Sequence, residues 1–203
     1  MLSPSIFSRP LYPGLRVDRF AKVNLILAEG EGAHAILDLA QSPEATPAFF
    51  ARATLLFCAN GASMGSAVAD LDALAPGALW TLPTIDTTMF RLRGVLQTAT
   101  MGTRIYAAGT EPFIGRVIAE AATFGVDPRS VITEHRGSLR RRVQCVHCKG
   151  MMEEVTHSPV TCAHCGLSLF VRDHYSRRLG AFQGVCIDAE APGDIPAAEE
   201  LYP

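Results

Sequence analysis

The sequence Cys145-Val-His-Cys148, followed by Cys162-Ala-His-Cys165-Gly166, decides the fold of the C-terminal part of this chain. Each pair has the Cys-x-x-Cys spacing, which places two sulfurs on one tight turn where both can bind the same ion. Two such turns complete a tetrahedral site, and Gly166 supplies the permissive backbone needed where the chain leaves the second turn. The spacing therefore predicts a metal site formed by Cys145, Cys148, Cys162 and Cys165.

The same cysteines could instead form disulfides or lie as unrelated buried thiols. The paired spacing disfavours unrelated thiols, and the N-terminus lacks the charged-then-apolar pattern of a secretory signal. We therefore expect reduced, metal-bound cysteines in a cytoplasmic protein. His147, His157 and His164 lie in or near the turns and could replace a cysteine ligand, although four sulfurs suffice. Cys58 and Cys186 lie outside the paired spacing and are expected to be buried thiols.

The spacing leaves the identity of the metal open. Four thiolates in a tetrahedron suit zinc or a single iron of the rubredoxin type. The short loop between the pairs favours a compact zinc ribbon, and zinc with four thiolates would be structural because no ligand position stays open. Iron would make the chain an electron carrier. A [2Fe–2S] cluster is a third interpretation, although the plant-type cysteine spacing is missing.

The composition is that of a folded chain of moderate size. It has 203 residues, of which 48% are hydrophobic and 19% charged, so it can form a core. The formal net charge of −2 argues against a dedicated nucleic-acid binder. The apolar runs are too short to span a bilayer, so we expect no membrane insertion.

Apolar strands alternate with helical patterns between residues 21 and 135. Strands are predicted at 23–28, 53–58, 79–82, 104–108 and 130–134, and a helix is predicted after each of the first four. This alternation predicts an α/β domain with a mainly parallel sheet. We expect it to be followed by a small module with four cysteines, of the zinc-ribbon or rubredoxin-like kind, and by an extended tail.

The flanking segments complete the predicted organisation. Residues 1–20 are rich in proline and are predicted to form an irregular arm. Residues 136–143, with Arg136 and Arg140 to Arg142, are predicted to be a basic linker, or alternatively a docking strip for an acidic partner. The metal module is predicted at 144–173 and a partner-binding tail at 174–203.

Two glycine-containing segments follow strands of the α/β domain. Gly-x-Gly follows the first strand, and Tyr106-Ala-Ala-Gly-Thr-Glu-Pro-Phe113 precedes a helix and the strand Val131-Ile-Thr-Glu134. Over residues 21–137 this order resembles the nicotinamide-nucleotide-binding half of the ferredoxin-reductase family. The resemblance implies that NAD(P)H would contact Gly30, Gly32, Gly109 and Glu111.

The chain departs from this family at the positions that would hold the cofactor. Glu29 and Glu31 place negative charge at the phosphate turn, where a helix N-terminus should attract a phosphate. Ala108 replaces the family's cysteine, and Ala59-Asn-Gly61 offers no arginine for a ribose phosphate. Since residues 1–20 alone precede the first strand, we expect the flavin-binding barrel to be missing. We therefore predict that the isolated chain binds NAD(P)H weakly or not at all.

The segment from Cys165 to Val185 carries a second resemblance. Its sequence, Cys-Gly-Leu-Ser-Leu-Phe-Val-Arg-Asp-His-Tyr-Ser-Arg-Arg-Leu-Gly-Ala-Phe-Gln-Gly-Val, resembles the A-type subunit of bacterial dimethylamine monooxygenase. This resemblance implies a multi-subunit enzyme that uses NAD(P)H and dioxygen to convert dimethylamine to methylamine and formaldehyde. It also implies a heme-bearing catalytic subunit and a reductase subunit with flavin and an iron–sulfur cluster.

The same segment is rich in arginine and aromatic residues, which are enriched at protein interfaces. We expect it to contact the partner subunits through Arg172, Tyr175, Arg177, Arg178 and Phe182. The leading hypothesis is an accessory subunit without catalytic residues of its own. The alternatives are a rubredoxin-like electron carrier and a zinc-ribbon adaptor that binds nucleic acid through its arginines.

Overall fold

The structure is a computed structural model that describes residues 8–60 and 65–203. They divide into two compact units, residues 12–137 and residues 8–11 with 138–203. Residues 8–22 hold no helix or strand. The first seven residues of the predicted arm, and Gly61 of the second predicted turn, lie outside the described residues.

The larger unit is an α/β domain with a five-stranded parallel sheet. Its elements, in chain order, are β1 (Val23–Glu29), α1 (Gly32–Ala40), α2 (Pro47–Ala51), β2 (Ala53–Cys58), α3 (Gly65–Ala73), β3 (Ala78–Leu82), α4 (Ile85–Leu96), β4 (Thr103–Gly109), α5 (Glu111–Thr123), a short 3-10 helix (Pro128–Ser130) and β5 (Ile132–His135). The strand order is β3-β2-β1-β4-β5, and every neighbouring pair is parallel. This confirms the predicted fold class, although the sequence patterns did not predict α2.

The central strands are buried on both faces, which explains their nearly continuous apolar sequence. Alternate residues of β1 supply two different cores, because successive side chains of a strand point to opposite faces. Ile26 packs with Leu55 and Tyr106 on one face, and Leu27 packs with Leu56 and Phe113 on the other. The strand order reverses between β1 and β4, where sheets of this kind usually bind ligands at the carboxyl ends of the strands.

The smaller unit is built around a second five-stranded sheet. The unit contains seven strands, of which five form this sheet and two form a separate pair. They are β6 (Arg141–Cys145), β7 (Met151–Val155), β8 (His157–Ser158), β9 (Val160–Thr161), β10 (Ser168–Ser176), β11 (Ala181–Cys186) and β12 (Glu199–Glu200). The sheet order is β7-β6-β11-β10-β9, and β12 pairs with β8. The first cysteine pair lies at the turn between β6 and β7, and the second lies between β9 and β10. The fold thus brings two hairpin turns together to form the predicted module with four cysteines.

The predicted basic linker is corrected by the structure. Arg141 belongs to β6, is 5% exposed and lies with its guanidinium 3.9 Å from the ring centres of Phe182 and Tyr202. Its Nη2 donates to Asp173 at 2.6 Å. The other three arginines of the run also pair with acids, namely Arg136 with Glu134 and Asp38, Arg140 with Glu154, and Arg142 with Glu153. The run is therefore neither a solvated linker nor a free basic strip.

Part of the predicted partner-binding tail belongs to the sheet of the smaller unit, and its role in partner binding remains a prediction. Residues 174–186 include the end of β10 and all of β11, and Tyr202 is 9% exposed within the core of the module. The N–H groups of Leu201 and Tyr202 both donate to the carbonyl of Thr156. Backbone hydrogen bonds therefore hold the last residues within their own unit, while residues 189–201 are exposed.

Two of the predicted interface residues belong to this core. Tyr175 is 8% exposed and Phe182 is 2% exposed, and their rings meet edge-on with centroids 5.0 Å apart. The register of β10 against β11 shifts between Arg172 and Tyr175, which is a β-bulge. The aromatic character of Tyr175 and Phe182 thus reflects packing of the module, because both side chains face its interior.

Across residues 8–60 and 65–203, no helix has both the length and the apolar character needed to cross a bilayer.

Candidate functional site

The two cysteine turns have the same backbone geometry. Lys149 follows the first pair with φ 64°, and its N–H donates to the carbonyl of Cys145 at 3.0 Å. Gly166 follows the second pair with φ 77°, and its N–H donates to the carbonyl of Cys162 at 2.9 Å. Both turns therefore use a left-handed residue to direct the chain away from the sulfurs. Glycine adopts this conformation without strain, whereas Lys149 does not.

The four predicted cysteines converge on one point. Their Sγ atoms all lie within 4.8 Å of one another. The Cys145–Cys165 separation is 3.8 Å and the Cys148–Cys162 separation is 3.7 Å. A tetrahedron with metal–sulfur bonds of about 2.3 Å has an edge of about 3.8 Å, so the sulfur positions fit a zinc ion. Disulfide sulfurs lie about 2.05 Å apart, and all six cysteines are free thiols.

Crowding of the sulfurs separates the pKa values of Cys162 and Cys165. Burial acts to raise the pKa of Cys162, but N–H groups of His164 and Cys165 and the adjacent sulfurs lower it to about 6. The N–H of Leu167 acts to lower the pKa of Cys165, but burial and the three other sulfurs raise it to about 12. One thiolate is thus favoured while another is strongly disfavoured. Four thiolates at this spacing require a cation between them.

His164 joins the two turns instead of serving as a ligand. Its Nε2 lies 2.8 Å from the carbonyl oxygen of Met151, which begins the strand leaving the first turn. A Cβ at Gly150 would lie 2.3 Å from the His164 ring, so glycine is required for this approach. The N–H of Gly150 also donates to Cys148 Sγ at 3.4 Å. No local pattern predicts the roles of His164 and Gly150, because their mutual contact joins two different hairpins.

The other candidate ligands lie apart from the cluster. His157 Nδ1 is hydrogen-bonded to Thr156 Oγ1. Cys186 is half-buried, not fully buried as predicted. Its thiol donates to Asp188 Oδ1 at 3.2 Å, and this contact, together with burial, raises the pKa of Cys186. Cys58 is fully buried at the end of β2, as expected, and burial raises its pKa. Within the described ranges 8–60 and 65–203, the metal-ligand cluster consists of four cysteines.

A buried carboxylate lies at the carboxyl edge of the α/β sheet, where a nucleotide would be expected. Glu29 ends β1 and is 4% exposed. Its Oε2 accepts the backbone N–H of Thr110 at 2.9 Å, and its Oε1 accepts the amide of Asn60 at 2.7 Å. Thr110 is the N-cap of α5, so the carboxylate lies at the positive end of that helix. A carboxylate of the chain itself therefore lies at the N-terminus of α5.

Two of the three glycines predicted to contact NAD(P)H allow close packing within the α/β unit. Gly109 has φ 146°, and a Cβ there would lie 2.9 Å from Glu29 Oε2. A Cβ at Gly32 would lie 2.2 Å from the carbonyl oxygen of Ala108, so α1 packs closely on β4. Gly30 has space around it, and Glu111 Oε1 accepts a hydrogen bond from Tyr12. The structure brings these residues to one edge of the sheet, and a role in cofactor binding remains a prediction.

Three of the five predicted interface residues lie on the surface. Arg172, Arg177 and Arg178 are exposed along β10 and the turn that follows it. None of them forms an ion pair with another residue in the described part of the chain. They differ in this from the arginines of residues 136–142, each of which has an acidic partner.

Comparison with known proteins gives matches over both units. The chain is 34% identical over 115 residues to the heme-dependent oxidative N-demethylase delta subunit of Ectopseudomonas mendocina. That match covers 57% of this chain and 66% of the relative, just under two thirds of its length.

Two solved structures share weaker similarity. A ferredoxin NADP+ reductase from Neisseria gonorrhoeae with bound FAD and NADP has a TM-score of 0.45 at 16% identity, over 58% of this chain and 57% of the reductase. Full-length CYP116B46 from Tepidiphilus thermophilus has a TM-score of 0.42 at 20% identity, over 68% of this chain and 19% of that protein.

Two family matches follow the order of the two units. Residues 4–131 match the N-terminal domain of the family described as dimethylamine monooxygenase subunit DmmA-like. Residues 142–185, which include the four cysteines, match the C-terminal domain of the same family. The chain therefore belongs to the DmmA-like family of dimethylamine monooxygenase subunits.

Proposed function

We propose that this chain is an accessory subunit of a multi-subunit NAD(P)H-dependent monooxygenase that oxidatively demethylates dimethylamine. The observation that carries the proposal is the pair of DmmA-like matches, over residues 4–131 and 142–185. The relative named as a subunit of an oxidative N-demethylase supports the same assignment. In the proposed reaction, dimethylamine, O2, NAD(P)H and a proton give methylamine, formaldehyde, NAD(P)+ and water.

The proposed division of labour places the redox groups on other subunits. A heme-bearing subunit would bind the amine and O2, and a reductase subunit with flavin and an iron–sulfur cluster would oxidise NAD(P)H. The buried Glu29 supports this division, because a dinucleotide phosphate would meet a carboxylate already held by Thr110 and Asn60. We assign no catalytic residue to this chain.

We propose that the metal is one structural zinc held by Cys145, Cys148, Cys162 and Cys165. Bound zinc would stabilise the four thiolates and contribute folding free energy, and four sulfurs leave no position for a substrate. The same sulfur separations also fit iron, so the alternative of a rubredoxin-like electron carrier differs in metal and not in ligands. A nucleic-acid adaptor has less support, because the arginines on which that hypothesis depended are paired with acids.

We propose that the exposed arginines of β10 and its turn contact a partner subunit. Arg172, Arg177 and Arg178 lie on a hairpin that leaves the second cysteine turn, so a bound metal would fix its geometry before docking. Tyr175 and Phe182 are not included, because they lie in the core. Arginine at the centre of such a surface often contributes about 2 kcal/mol or more to binding.

Purification of the tagged full-length chain from its native cell tests the function. We expect heme- and flavin-bearing subunits to co-purify, and we expect the complex to produce formaldehyde from dimethylamine with consumption of NAD(P)H. The chain expressed alone should show no such activity. Purification without partners, combined with reversible reduction of a bound iron, would favour the electron carrier instead.

A further inference from the structure

A pocket of about 340 Å³ lies at the amino edge of the α/β sheet, opposite the edge that holds Glu29. It is formed where the segment before β1 passes the first residues of β4 and β5. Its polar lining comes from Arg16, Asp18, Arg19, Arg104, Arg129 and Ser130. Four guanidinium groups and one carboxylate therefore surround an open cavity in a chain whose net charge is −2.

Three of the four pocket arginines have an acidic partner, namely Arg19 with Glu44, Arg104 with Asp18 and Arg129 with Asp127. Arg16 is exposed and has no ion pair or side-chain hydrogen bond to the residues that the structure describes. The side chains of Arg129 and its partner Asp127 are 91% and 50% exposed, and the attraction within such an exposed ion pair is weak because water screens the charges. Arg104 is held more firmly, by Asp18 at 2.5 Å and by the carbonyl of Ser130. The rim can therefore accept a further negative group.

Two nearly fully exposed apolar side chains belong to the same edge. Phe20, which also lines the pocket, is 92% exposed, and Met101 is 96% exposed. The carbonyl of Gly102 accepts the N–H of Lys22, so the segments carrying Phe20 and Met101 run side by side. A free inorganic anion would leave both side chains in water, whereas an acidic peptide with an apolar neighbour would cover them.

We propose that this pocket receives an acidic segment of a partner subunit, with a carboxylate among the arginines and an apolar side chain against Phe20. The inference rests on the proposed function, because it requires that the chain works in a complex. It concerns a different surface from the arginines of β10, which belong to the other unit. Charge complementarity of this kind accelerates association and makes it dependent on salt.

The test uses the full chain and the heme-bearing subunit separated from the native complex. Arg16→Glu and Phe20→Ser change exposed side chains, so they should leave folding intact. We expect each to weaken binding about tenfold or more, and Arg16→Glu should also reduce its salt dependence. The controls are Arg93→Gln and Phe90→Ser on α4, whose side chains are also exposed; because Arg93 pairs with Glu120, binding by that variant is compared together with its unfolding. The controls should bind as the wild type does.

Five outcomes distinguish the possibilities. Weakened binding of the two pocket variants, with normal controls and normal unfolding, supports the inference. If both pocket variants bind the partner as the wild type does, the inference is wrong and the proposed function stands. If only the α4 variants weaken binding, docking occurs on α4 and the inference is also wrong. If inorganic phosphate stabilises the wild type but not Arg16→Glu while partner binding is unchanged, the pocket is a free-anion site. A wild-type chain that binds no subunit refutes the inference and the proposed function together.

Discussion

Replacement of Glu29 by alanine should destabilise the α/β unit without affecting the cysteine module. The carboxylate is 4% exposed and accepts two hydrogen bonds, from the N–H of Thr110 at 2.9 Å and from the amide of Asn60 at 2.7 Å. The variant would leave both donors without an acceptor inside a small cavity. It would also remove negative charge from the N-terminus of α5, where such charge is favourable.

The magnitude follows from these two contacts. Hydrogen bonds to charged groups contribute about 1.5–3 kcal/mol each, and the cost of burying the carboxylate offsets part of this sum. We therefore expect Glu29→Ala to lower the free energy of unfolding by about 2–4 kcal/mol. Glu29→Gln should cost less, because its amide oxygen can still accept one of the two bonds.

The assay is urea unfolding followed by the fluorescence of Trp80. This is the single tryptophan of the sequence and it lies in β3, so its signal reports on the α/β unit. Glu31→Ala is the matched control, because Glu31 has a side chain 58% exposed and contacts His34 at the surface. The control should change stability by less than about 0.5 kcal/mol. A Glu29→Ala variant as stable as this control would refute the structural role. Micromolar binding of NADPH to the wild-type chain would contradict the proposal that the carboxylate occupies the crevice.

Three further predictions concern the smaller unit. Phe182→Ala should lower the free energy of unfolding, measured by calorimetry, by about 3–4 kcal/mol, because it removes a ring packed against Tyr175. An unchanged stability would contradict the assignment of Phe182 to the core. Lys149→Gly should make the metal-bound chain more stable than Lys149→Ala by about 0.5–1 kcal/mol. Both variants lose the lysine side chain, but only glycine adopts the left-handed backbone conformation without strain. Equal stabilities of the two variants would contradict this. Arg177→Ala should weaken assembly with the partner subunits about thirtyfold at unchanged metal content, and unaltered co-elution would exclude its hairpin from the interface.

The sequence patterns predicted those features that depend on local periodicity or spacing. The buried strands of the α/β unit appear as short apolar runs because both faces of a parallel sheet are covered. The cysteine turns are recognisable because the metal ligands lie three residues apart. Both features can be recognised without knowing which distant residues they contact.

The incorrect predictions concern residues whose environment comes from distant parts of the chain. Arg141 was expected to be solvated, but β11 and the chain end bring Phe182 and Tyr202 onto its two faces. The bulge in β10 carries Asp173 to the same guanidinium. The expectation that Glu29 repels a phosphate is not contradicted, but its burial against Thr110 has no local signal because it depends on pairing of β1 with β4. A charged residue gives no local signal that a partner far along the chain will bury it.

The metal content of the full-length chain, measured by elemental analysis together with titration of its thiols, tests the central claim most directly. We predict one zinc per chain, with Cys145, Cys148, Cys162 and Cys165 protected from a thiol reagent until a chelator is added. Cys145→Ser should lose the metal and the structure of the smaller unit, while the Trp80 unfolding transition is retained. One iron per chain, with a red colour bleached by dithionite, would contradict the structural-zinc account and make the chain an electron carrier. Four freely reactive thiols in a folded, metal-free chain would contradict the metal site itself.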